Sequence, residues 1–157
     1  MDRIDRRLLD LIQRDASLTS EKLAELVGAS GSAVHRRLKR LRDEGVIRSF
    51  VATVDQNRVG RPLTFIVGLE IERKQADLYD RLQRWVDRQD AVQQAYNVTG
   101  SSDFVIVVTA ATVEEYDRLM DEMLKAHPNI KKYTTNVVLR SFKRRLFVPV
   151  LPTDEED

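Results

Sequence analysis

The chain has 157 residues, 42% hydrophobic and 32% charged, with a formal net charge of +1, which is enough for one medium domain or two small ones and is not a disordered composition. It has no cysteine, which excludes disulfides and thiolate metal sites and fits a cytoplasmic protein. No run of about 18 apolar residues is present, so no membrane span is expected, and the charged opening Met1-Asp2-Arg3-Ile4-Asp5-Arg6-Arg7 is unlike a secretory signal.

Charge is distributed unevenly. Residues 1–60 carry 12 Lys+Arg against 9 Asp+Glu, whereas residues 61–157 carry 14 against 16. The run Ser30–Arg48 holds six basic residues (Arg36, Arg37, Lys39, Arg40, Arg42, Arg48) and two acidic ones (Asp43, Glu44). Such local excess is the footprint of a phosphate-binding element, or alternatively of a solvated helix face.

Ile4, Leu8, Leu11 and Ile12 recur at helical spacing and predict a first helix. Thr19 or Ser20 offers a cap for a short second helix over 20–27 that buries Leu23, Ala24, Leu26 and Val27 and stops at Gly28. Ser30 caps a third helix running to about Glu44, with Gly45 beyond it. A short helix, a glycine turn and a longer helix predict a helix-turn-helix. In the third helix Val34, Leu38 and Leu41 point inward. Ser30, Ser32, His35, Arg36, Arg37, Lys39 and Arg40 are then the candidates for contact with double-stranded DNA, because guanidinium forks read guanine edges or clamp phosphates. The segment Val46–Val54 is rich in β-formers and leads the chain out of this unit.

Residues 55–62 are polar and end in Gly60 and Pro62, so a linker is placed there between a helix-turn-helix domain over 1–54 and a second domain over 63–150. Leu63, Phe65, Val67, Leu69 and Ile71 alternate as in a strand with one buried face. Leu78, Leu82, Trp85 and Val86 mark an amphipathic helix, Val92–Val98 a second strand and Phe104–Ala111 a third. Thr112-Val113-Glu114-Glu115 reads as a capping box for a helix presenting Val113, Tyr116, Met120 and Met123. Pro128 closes that helix, and Tyr133–Phe142 makes a fourth strand. The order βαββαβ is the ferredoxin-like unit, so the fold class is α+β: a winged-helix-like helix-turn-helix followed by a ferredoxin-like domain. Strand Phe104–Ala111 is apolar at both parities, so the second face of the sheet is expected to meet another subunit in a homodimer. The acidic tail 151–157 is expected to be disordered.

Two strings resemble one family. Val34-His35-Arg36-Arg37-Leu38-Lys39-Arg40-Leu41 with Glu44-Gly45-Val46-Ile47 is similar to the recognition helix and exit of the Lrp/AsnC (feast/famine) regulators. Val92 to Phe104, with Gly100 followed three residues later by Asp103 and Phe104, is similar to their strand–loop–strand. The resemblance spans nearly the whole chain. It implies a DNA-binding transcriptional regulator built from dimers, often joined into octamers, that holds a small-molecule effector, commonly an amino acid, between the ferredoxin-like domains of neighbouring dimers. Carried over, the effector residues are Val98, Thr99, Gly100, Ser102 and Asp103, with Thr134 or Thr135. Family members often carry an acidic and an aromatic residue between this glycine and aspartate, where this chain has Ser101 and Ser102. They also tend to have threonine where this chain has Tyr133. Gly100 and Asp103 read equally as an ordinary turn glycine and a turn-stabilising carboxylate.

Other classes are a sensor or interaction module without DNA binding, against which Arg36, Arg37 and Arg40 argue, and an enzyme. The two histidines, His35 and His127, are far apart in sequence. No metal-ligand cluster or phosphate-cradling glycine loop accompanies them, so no catalytic residue, metal or cofactor is expected.

Overall fold

The computed structural model describes residues 1–72 and 76–150. The expected acidic tail lies outside them. Two compact units form, each described by itself: Met1–Thr53 together with the segment 143–150, and Val54–Phe142.

The first unit holds three helices, α1 (Arg3–Arg14), α2 (Ser20–Val27) and α3 (Gly31–Asp43). Each starts on a residue whose side chain accepts an otherwise unpaired backbone N–H: Asp2 from Asp5, Thr19 from Lys22, Ser30 from Ala33. Caps of this kind stabilise a helix by about 1 kcal/mol each. Gly28 ends α2 with φ +70°, a left-handed setting that costs a residue with a Cβ more than glycine. Leu8, Leu9, Ile12, Leu23, Ala24, Val34, Leu38 and Leu41 form the buried core. Leu26 is exposed, contrary to expectation, because α2 is only eight residues long and turns one narrow stripe inward. Val46–Val54 pairs with no strand and leaves Phe50, Val51 and Val54 exposed.

In the second unit the order is β1 (Leu63–Ile71), α4 (Ala76–Val86), β2 (Val92–Asn97), β3 (Phe104–Ala110), α5 (Val113–Ala126) and β4 (Ile130–Val137). The sheet runs β2-β3-β1-β4 and every neighbouring pair is antiparallel. Phe65, Val67 and Leu69 of β1 share a core with Phe104, Ile106 and Val108 of β3, Leu82 and Trp85 of α4, and Tyr116, Met120 and Met123 of α5. Both helices therefore cover one face of the sheet, the face that alternate residues of β1 line.

Three expectations need correcting here. The fourth strand stops at Val137 instead of Phe142, because β1 runs out: Val137 pairs with Phe65, and the last bond is Val138 N–H to Thr64 O. Val113 is exposed, since its position in the first turn of α5 faces away from the sheet. The box at Thr112 is half formed: Thr112 Oγ1 accepts from Glu115 N–H, but the Glu115 carboxylate accepts from Ala111 N–H and Arg61. That backbone bond first, then Arg61, holds Glu115 below its ordinary pKa.

Residues 143–150, expected to belong with the sheet, join the helical unit. The Gln13 amide donates to Val148 O at 3.0 Å and accepts from Val148 N–H at 2.8 Å. Arg14 lies over the Phe147 ring at 4.6 Å, and Val150 packs on the helical core.

Candidate functional site

The buried stripe Val34, Leu38 and Leu41 fixes the roll of α3, so Ser32, His35, Arg36, Lys39 and Arg40 are exposed and Arg37 lies at the stripe's edge. These exposed positions do not present equivalent charges. Arg36 and His35 have no hydrogen-bond or ion-pair partner among the described residues. Lys39 pairs with Asp43 at 2.7 Å on the surface. Ser30 caps the helix and its Oγ lies 3.2 Å from Ser32 Oγ. Two unpartnered or lightly held groups, short hydroxyls at the helix start and a free guanidinium one turn on, are what a groove-reading face requires.

Arg37 departs from the sequence reading. Its side chain is only 25% exposed and its Nη1 donates to Asp5 Oδ1 at 2.8 Å and Asp2 Oδ2 at 2.6 Å. Next to the apolar stripe it neutralises a carboxylate instead of facing outward. Arg40, 47% exposed, donates from Nη2 to Asp5 Oδ2 at 2.5 Å and has Glu44 at 3.8 Å. Asp5 is 1% exposed. Burial pushes its carboxyl up, but the Arg37 hydrogen bond and the Asp2 backbone N–H more than offset that, leaving it below the ordinary carboxylate range. Asp2 is lowered by the Asp5 N–H first and Arg37 second. The sequence reading took both aspartates only as part of a charged opening, not as partners of α3. The signal available was Asp2 and Asp5 three apart just before an apolar run, a capping-box spacing, and the two residues do cap each other.

In the second unit, the residues carried over from the family separate. Gly100 adopts φ +123° in the β2–β3 turn, where Val98 N–H donates to Asp103 O and Asp103 N–H to Leu69 O. The Asp103 carboxylate accepts from Ile71 N–H at 2.9 Å, so it stitches the turn to β1. Ser102 sits on the open sheet face over Gly68, where a Cβ would lie 2.5 Å from the serine Oγ. Thr134 pairs with Gly68 across β1–β4 and shares that face. Thr135 does not: it points to the helix side and hydrogen-bonds the Tyr116 hydroxyl. Thr99 and Gly100 are exposed at the tip. Gly68 is the residue that sequence reasoning missed. A lone glycine inside an alternating strand signals close approach.

A hollow of about 710 Å³ lies on the other, helix-covered side beside β2, lined by Tyr79, Leu82, Val86, Ala95, Phe104 and Ile106. It contains none of Gly100, Ser102, Asp103 or Thr134. No group of three or more His, Asp or Glu among the described residues is placed to hold a metal, and no described helix is long and apolar enough to cross a membrane.

Residues 1–48 match the winged helix-turn-helix DNA-binding family, and residues 64–146 match the Lrp/AsnC ligand binding domain. The chain is 41% identical to the HTH-type transcriptional regulator y4tD of Sinorhizobium fredii, over 96% of this chain and 89% of that one. Among solved structures it is similar to an AsnC family transcriptional regulator from Agrobacterium tumefaciens (TM-score 0.88, 27% identity, 95% of this chain and 97% of that one). It is also similar to the regulator NMB0573 of Neisseria meningitidis in complex with L-Met (TM-score 0.87, 25% identity, 95% and 96%).

Proposed function

This chain belongs to the Lrp/AsnC family of DNA-binding transcriptional regulators, and from that premise we propose that it reads an operator through Arg36 and Ser32 of α3 and that an amino acid bound at the β2–β3 turn tunes the binding. The observation that carries the reading is the unpartnered Arg36 guanidinium, set one turn beyond the Ser30–Ser32 hydroxyls on a face that the buried stripe turns outward. Arg40 and Lys39 extend it as phosphate contacts, and His35 flanks it. Arg37 is withdrawn from the contact set, since its charge is spent on Asp2 and Asp5.

The turn chemistry suits an amino acid. Backbone amides at Gly100 can take an α-carboxylate, Asp103 an ammonium, and Ser102 and Thr134 the remaining polar contacts. The L-Met complex of NMB0573 supports the ligand class. Thr135 is left out of this set. The protein works in the cytoplasm as a homodimer or as an octamer of four such dimers, performs no catalysis, and needs no metal or cofactor for this role.

One titration series tests the reading. Wild type is expected to bind a duplex recovered from a randomised pool with affinity that falls steeply with salt, as phosphate contacts release counterions. Arg36→Ala is expected to lose about 1–3 kcal/mol and relax preference at one base pair. Among a panel of free amino acids at least one is expected to shift wild-type affinity and to lose that effect in Gly100→Trp. Unchanged affinity and preference in Arg36→Ala would remove that residue from the interface.

A further inference from the structure

We propose that Asp5 of α1 is a positioning residue for DNA recognition: it holds the Arg40 guanidinium so that its remaining N–H groups meet a phosphate. This rests on the DNA-binding reading above and deepens it.

Asp5 is the one buried carboxylate among the described residues. Taking a carboxylate out of water is expensive, and a buried ion pair is usually no more stabilising than an apolar replacement of the same size. Stability alone is therefore a poor reason for Asp5, whereas fixing geometry is a sufficient one. The partners are also unequal. Arg37, three-quarters covered, answers two carboxylates and has little left to offer. Arg40 gives Asp5 only Nη2, and its Nε lies 3.8 Å from Glu44, beyond hydrogen-bond range. A guanidinium has five N–H donors in a rigid fork, so several of them remain for a partner in solvent, on a side chain that is half exposed. Arg40 follows Arg36 by four residues, so the two lie on one side of α3. A carboxylate behind a half-exposed guanidinium orients it and reduces the entropy lost when it meets a phosphate.

The test uses the full-length protein, the duplex recovered from a randomised pool by wild type, and a scrambled duplex of the same length and composition. Asp5→Asn, Arg40→Gln and the double variant are first shown to be folded by circular dichroism. Affinity for both duplexes is then measured across a salt series. Asp5→Asn is expected to weaken binding to both duplexes by about tenfold and to reduce the salt slope by about one. The double variant is expected to match Arg40→Gln, because Asp5 acts through Arg40. A folded Asp5→Asn with unchanged affinity and slope overturns the proposal. So does tighter binding with a steeper slope, which would mean that the carboxylate withholds Arg40 from DNA, and so does simple additivity in the double variant. If Asp5→Asn does not fold, Arg40→Lys decides: it keeps the charge but loses the fork that spans carboxylate and phosphate, and unchanged affinity there is equally fatal. A wild type that recovers no duplex sinks the DNA-binding reading itself, a result separable from all of these.

Discussion

His127 closes α5 with its ring edge-on to Trp85 at 6.0 Å, buried, and its Nε2 has no hydrogen-bond partner among the described residues. Burial, and then the charge of Arg81, holds its pKa below the ordinary value of 6.5. Above that value folded and unfolded chains are both neutral at this site. As pH falls through it the unfolded state takes up a proton that the folded state resists, so stability drops until the folded value is passed. His127→Phe keeps a ring against Trp85 and removes the orphaned nitrogen. The variant is expected to melt several degrees above wild type at pH 5 and closer to it at pH 7.5, read by thermal denaturation. A wild-type melting temperature that is flat across that range would contradict the assignment. At this scale the inward residues were legible, because Val34, Leu38 and Leu41 obey the helical period. The fate of Arg37 and Arg40 was not: their partner Asp5 lies 32 and 35 residues away, and spacing along α3 carries no trace of it. Thr134 and Thr135 were likewise indistinguishable until the register with β1 put them on opposite faces.

Elements were legible where local pattern and tertiary partner agreed. The caps at Thr19 and Ser30 and the stop at Gly28 are local chemistry, and they hold. Val46–Val54 and residues 139–142 have strand-like composition but no strand among the described residues to pair with, and composition cannot supply one. Residues 143–150 show the converse. Nothing in Val148 announces that Gln13 will clasp its backbone from both sides, yet that clasp, Arg14 over Phe147 and the packing of Val150 attach the segment to α1. Ending the chain after Phe142 removes these contacts, worth about 1–3 kcal/mol together. Melting of the helical unit is expected several degrees lower, with a shallower salt dependence of DNA binding, because Lys143, Arg144 and Arg145 go with it. An unchanged melt would mean that the segment rests on α1 without supporting it.

For the whole molecule, charge belongs to units and not to stretches of sequence. Residues 1–53 with 143–150 carry 14 basic and 8 acidic side chains, and residues 54–142 carry 12 and 13. Residues 1–53 with 143–150 are thus at +6 before the four carboxylates of residues 151–157 are counted, because three of the cations come from the far end of the chain. The proposed self-association is placed on the second unit. Helices cover one side of the sheet, and the other presents Ile66, Tyr96, Val105 and Val107 beside Gly68 and Thr134. Ile66→Glu puts a charge in the middle of that surface and is expected to turn the assembly into monomers by light scattering, with each unit still folded. A variant that keeps the wild-type mass would move the subunit contact elsewhere.

The clasp of Gln13 on Val148 also changes what kind of object the effector domain is. Both of its leads enter the same helical unit, one at residue 54 and the other at residue 142, so in chain-topological terms it is an insertion and not an appendage. A single protease nick in residues 55–62 therefore leaves two pieces, of which the larger still carries the segment that grips α1. The grip of that segment on α1 continues to join them.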